Sequence, residues 1–203
     1  RWSVMLALYL GVLLLVIAPL LKLWQGAMGL PAPEAFGKFP PAMLLPLVTI
    51  AAPVGEKLVF RGWLSGTPRA LWLLLCALVA GGLLAMISLQ QAETAASLGF
   101  VATLMAAAAG WFVLRRRTRA PAWFARTFPL LFWVMVIVFG LSHLANYPRF
   151  SWALLPMVLP QIWAGSVLGF VRMRISLPAA MLAHGLANGT ALGLAMLLQE
   201  FAA

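Results

Sequence analysis

The stretch Ala52-Pro53-Val54-Gly55-Glu56-Lys57-Leu58-Val59-Phe60-Arg61-Gly62 lies inside an apolar run from Pro41 to Leu64, and its reading decides the solvent of the whole chain. At ~1.5 Å per helical residue, such a run is long enough to cross a hydrocarbon core of ~30 Å. Glu56 is the only acidic residue within any of the long apolar segments. A carboxylate at that depth is costly and marks a functional site by default, so chemistry is sought first at Glu56.

Composition agrees with a membrane solvent. The 203 residues are 64% hydrophobic and 9% charged, outside the range of a soluble globular domain. Runs of Leu, Ala, Val, Met and Trp show no sustained period-two alternation, which favours helices over a transmembrane β-barrel. The runs predict spans over Trp2 to Leu21, Pro41 to Leu64, Ala70 to Leu89, Thr94 to Leu114, Pro129 to Ala145, Trp152 to Val171 and Leu177 to Leu198. The expected fold is all-α, a polytopic helical bundle of about seven spans forming one transmembrane domain over residues 1–203. Its first span reads as a retained signal anchor. Cys76 is the single cysteine, so no internal disulfide or thiolate metal cluster forms. Trp and Met read as interface anchors and packing residues. Pro46, Pro53, Pro156 and Pro160 are expected to kink or break spans.

Seven spans place the termini on opposite sides, and basic loops choose the sides. Nine residues fall on one side, Arg1, Arg69, Arg115, Arg116, Arg117, Arg119, Arg126, Arg172 and Arg174, against Lys22, Lys38 and Arg149 on the other. The positive-inside rule then makes the amino terminus cytoplasmic and the carboxyl terminus external. That distribution accounts for the net charge of +10. Nucleic acid is not an expected partner, because the arginines are spread over short loops without a nucleic-acid motif. The Arg115 to Arg119 cluster is expected to lie along anionic headgroups of the lipid bilayer.

Three polar constellations interrupt the apolar spans. Glu56 and Arg61, with Lys57 between them, sit late in the second; Phe139 and His143 share one face of the fifth; His184 and Asn188 share one face of the seventh. These are the chain's two histidines. Measured from the cytoplasmic face at ~1.5 Å per residue, Glu56 lies ~13 Å deep, His184 ~10 Å and His143 ~21 Å. Side-chain reach and helix tilt can bridge those differences, so one intramembrane site is geometrically allowed.

The ordered trio resembles the CPBP intramembrane proteases, which include type II CAAX prenyl endopeptidases and bacteriocin-processing or self-immunity proteins. Their pattern is Glu-Glu-x-x-x-Arg, then Phe-x-x-x-His, then His-x-x-x-Asn or Asp. Here the chain reads Glu56-Lys57-Leu58-Val59-Phe60-Arg61, Phe139-Gly140-Leu141-Ser142-His143 and His184-Gly185-Leu186-Ala187-Asn188. Two departures stand out. Lys57 replaces the second Glu, and a helical hairpin at 70–114 is inserted between the motif helices at 41–64, 129–145 and 177–198. A two-span insertion preserves the direction of the helices that follow.

Peptide hydrolysis in lipid needs an activated water, a stabilised oxyanion and a proton for the leaving amine. Glu56 and His143 suit the first task, and His184 with Asn188 the second. The resemblance implies a glutamic-type intramembrane endopeptidase on these residues, with Arg61 orienting or balancing Glu56 and Phe139 packing the His143 ring. Burial favours the neutral acid, whereas Arg61 or Lys57 nearby favours the ionised one. No cofactor is expected on this reading. An alternative uses zinc on Glu56, His143 and His184 with an open water position, though no His-Glu-x-x-His motif is present. A non-catalytic membrane scaffold and a proton-relay transporter also stay open on the residues alone. The expected substrate is a membrane-anchored protein or peptide, and the Ala- and Arg-rich composition points to a bacterial inner membrane.

Overall fold

The computed structural model describes residues 1–34 and 39–200, and every regular element among them is helical. Lys38, one of the residues used to orient the chain, lies outside the described residues. Among the described residues, seven helices are long and apolar enough to span a membrane: α1 (Trp2–Ala27), α2 (Met43–Ser65), α3 (Pro68–Ser88), α4 (Glu93–Leu114), α5 (Ala122–Asn146), α6 (Trp152–Arg174) and α7 (Leu177–Leu197). The chain is therefore an integral membrane protein, all-helical over the described residues, as the apolar runs predict.

Two boundaries differ from the sequence reading by more than a turn. Helix α1 continues past Lys22 and ends where Gly29 takes a left-handed φ of 59° and Leu30 N–H bonds back to the Gln25 carbonyl. Helix α5 starts at Ala122, and Pro129 lies inside it. The first intrahelical bond of α5 runs from Ala125 N–H to the Pro121 carbonyl, so the proline that opens this helix is Pro121. Apolar segments tolerate an internal proline because other groups satisfy the freed backbone.

Prolines also explain two local widenings. In α2 the turn Leu47–Ala51 is a π-helix, closed by Ala52 N–H reaching the Leu47 carbonyl, and Pro53 follows. In α1 the π turn Leu13–Ile17 is closed by Ala18 N–H on Leu13, and Pro19 follows. A proline ring collides with the carbonyl four residues back, and a wider turn moves that carbonyl aside. In α6, Pro156 sits within an opening 3-10 stretch, Trp152–Val158.

Contacts divide the chain into two units. The first holds Arg1–Lys57 and Leu130–Ala203. Within it α5 and α6 run antiparallel, with Ile162, Val136 and Phe132 filling the space over Gly140, Gly165 and Gly169. Small residues let helices approach where lipid offers no hydrophobic drive for association. Helix α7 presents Ala180, Ala183, His184 and Ala187 as one buried stripe at helical spacing. Indole N–H groups tie α1 into this unit: Trp2 donates to the Ala179 carbonyl at 3.1 Å, Trp24 to Ala153 at 2.8 Å, and Trp163 to Tyr9 at 3.1 Å.

The second unit, Leu58–Pro129, holds the end of α2, the hairpin of α3 and α4, and the start of α5. Thr67 caps α3, accepting from Ala70 N–H at 3.4 Å, and Gln90 and Ala92 turn the hairpin with left-handed backbones. Trp72 N–H donates to the Ala106 carbonyl at 3.0 Å, joining the two helices, and the Arg69 guanidinium lies 4.2 Å from the Trp111 ring centroid. At the end of α2, Gly66 has a φ of 64°, and the Phe124 ring occupies the space where its Cβ would stand.

Candidate active site

Glu56 lies in the regular stretch of α2, Ala52–Arg61, just beyond the π turn and Pro53. Its side chain keeps 25% of its surface exposed, whereas that of the adjacent Lys57 keeps none. One carboxylate oxygen, Oε1, lies 3.9 Å from His143 Nε2. The other, Oε2, lies 3.6 Å from His184 Nδ1 and 3.5 Å from Lys57 Nζ. Residues from three separate spans therefore meet within one unit of the fold.

His143 stands where α5 tightens into the 3-10 turn His143–Asn146. Its Nδ1 is 2.8 Å from the Phe139 carbonyl, one turn back, and a carbonyl only accepts. A proton is accordingly assigned to Nδ1, and Nε2 faces Glu56. The Phe139 ring meets the imidazole edge-on with centroids 4.9 Å apart, so the same residue orients His143 through both backbone and side chain. A single water with two hydrogen bonds of ~2.8 Å can bridge the gap between Nε2 and Oε1.

His184 is buried on the inner stripe of α7. Its neighbour Gly185 allows α7 to approach the π turn of α2 backbone to side, since a Cβ there would collide with the Thr49 carbonyl oxygen. Asn188, one turn further, donates Nδ2–H to the Val48 carbonyl at 3.0 Å. Ala52 N–H serves Leu47, so the next donor in the π register would be Pro53, which has no N–H. Asn188 supplies that donor from another helix. Its amide has a second N–H beyond this bond.

Arg61 is the last residue of the regular stretch of α2, is buried, and belongs to the second unit. Within the first unit, the positive charge beside Glu56 is that of Lys57. Among the described residues, no three His, Cys, Asp or Glu side chains close to the spacing of metal ligands. The sequence reading took Pro53 only as a kink and passed over the Val48 and Thr49 carbonyls and the close approach at Gly185. Pro53 and Gly185 were visible in the motif stretches, but the carbonyls they affect belong to no side-chain pattern.

A family model described as type II CAAX prenyl endopeptidase Rce1-like matches residues 38–128. That segment contains Glu56, Lys57 and Arg61 together with α3 and α4; His143, His184 and Asn188 lie beyond it. The match bears out the resemblance to the CPBP and CAAX proteases. No curated protein and no solved structure matches the chain.

Proposed function

We propose that this chain, which resembles the type II CAAX endopeptidases over residues 38–128, is an intramembrane peptidase of glutamic type. Its substrate is a membrane-anchored protein or peptide, cleaved where the chain is extended beside its anchor. The observation that carries the proposal is the meeting of Glu56 with His143 at 3.9 Å and His184 at 3.6 Å inside membrane helices.

In the proposed reaction, Glu56 Oε1 and His143 Nε2 hold a water between them. Its proton passes to this pair while its oxygen bonds to the scissile carbonyl carbon. His184 and the second N–H of Asn188 stabilise the oxygen that becomes negative, each such donor being worth about 10²–10³ in rate. The tetrahedral intermediate collapses as the C–N bond breaks, and the proton held by Glu56 and His143 is delivered to the leaving amine. Acid-base transfer of this kind contributes about 10²–10⁴. The Phe139 carbonyl preserves the His143 tautomer.

The test is cleavage of a membrane-anchored reporter by the purified protein in proteoliposomes, comparing wild type with Glu56→Gln and His143→Ala. Variants that cleave as fast as wild type would sink the mechanism. Wild type inactive across a broad substrate panel would favour the scaffold. Exhaustive chelation separates the zinc alternative on Glu56, His143 and His184: retained activity supports the metal-free route, and loss restored by zinc supports the metal.

A further inference from the structure

Lysines in membrane helices ordinarily extend along the helix and deliver the ammonium to the headgroups. Lys57 does the reverse. Its side chain is completely buried, with Nζ 3.5 Å from Glu56 Oε2 and 4.9 Å from the centroid of the Phe139 ring. Consecutive helical residues do not face one another, so this approach needs the lysine stem to fold inward. The ring that receives the ammonium also meets His143 edge-on at 4.9 Å. Lys57, Glu56, Phe139 and His143 thus form one contiguous group.

The two carboxylate oxygens are not equivalent in this group. Oε2 stands between Lys57 Nζ at 3.5 Å and His184 Nδ1 at 3.6 Å, while Oε1 is turned to His143 Nε2 at 3.9 Å. A buried ammonium is tolerated where a carboxylate and an aromatic face meet it. Its fixed charge in turn restricts how the carboxylate can rotate. At this position the resembled pattern carries a second Glu, which would set a like charge beside Glu56.

We propose that Lys57 is a positioning residue that clamps Oε2 of Glu56 and so leaves Oε1 aimed at the water shared with His143. The inference rests on Glu56 acting on water and assigns a role to the residue at which this chain departs from the pattern. Kinetics of Lys57→Met, Lys57→Glu and Lys57→Arg in proteoliposomes test it, with Glu56→Gln alongside. Lys57→Met and Lys57→Glu are expected to lower kcat about 100-fold, the loss typical of a misaimed catalytic group, with KM within about twofold. Lys57→Arg should recover most of the rate. Melting midpoints add a readout independent of turnover: Glu56→Gln/Lys57→Met, which removes both charges, should melt closer to wild type than either single variant. Wild-type kcat in Lys57→Glu, no recovery in Lys57→Arg, or additive losses in the double variant would each overturn the clamp. Wild-type turnover in Glu56→Gln would instead refute the underlying mechanism, while the melting comparison still tests the pair.

Discussion

Replacing Gly185 by alanine changes one methyl group and tests how the site is assembled. In the structure a Cβ on Gly185 would fall within the van der Waals shell of the Thr49 carbonyl oxygen and 3.4 Å from the Thr49 carbonyl carbon. The obstacle is backbone, held by the π turn before Pro53, and cannot swing aside as a side chain would. Helix α7 must therefore back away from α2. Overpacking of this kind costs about 1–3 kcal/mol, and the Asn188 to Val48 bond at 3.0 Å would stretch or break, adding about 0.6 kcal/mol for a bond between membrane helices. For a chain of this size the total corresponds to a midpoint lowered by about 3–14 °C. On the proposed mechanism, retreat of α7 also carries His184 away from Glu56, and a displacement of about 1 Å at such a group costs roughly 100-fold in rate. Thermal unfolding in detergent and reporter cleavage in proteoliposomes measure the two effects. Gly55→Ala is the control: nothing lies within 4 Å of a Cβ there, and α2 should melt no lower. A Gly185→Ala protein with unchanged midpoint and turnover would refute the close-approach argument.

Three further outcomes are expected. Asn188→Leu should lower stability by only about 0.6 kcal/mol but kcat by about 100-fold or more, and a rate loss no larger than the stability loss would reduce Asn188 to a helix-packing residue. Gly66→Ala should destabilise the second unit by about 1–3 kcal/mol, because the left-handed backbone and the Phe124 ring both oppose a side chain; tryptophan fluorescence from Trp63 and Trp123 reports it. In a Cys76→Ser background, an impermeant thiol reagent should label Arg117→Cys from the cytoplasmic side and Gln90→Cys from the opposite side, and the reverse pattern would invert the proposed orientation.

The number of spans and their approximate limits were legible because lipid imposes one requirement on sequence: about 20 apolar residues whose backbone bonds are satisfied within the helix. The polar residues inside those runs were legible for the same reason, since Glu56, His143, His184 and Asn188 stand out against lipid. Pro129 misled because a proline marks a helix start as readily as it lies within a membrane helix, and Pro121 supplied the actual start. Tryptophans read as interface anchors turned out to be donors between helices: Trp2, Trp24, Trp72 and Trp163 each bond a carbonyl on another span. Sequence alone determined that an acid, two imidazoles and an amide lie in membrane helices at depths that allow them to meet. Only the tertiary structure decided which oxygen of Glu56 faces which partner, that Lys57 turns inward, and that Asn188 serves the Val48 carbonyl next to Pro53. These are relations between a side chain on one helix and a group on another, and no periodicity within a single helix encodes them.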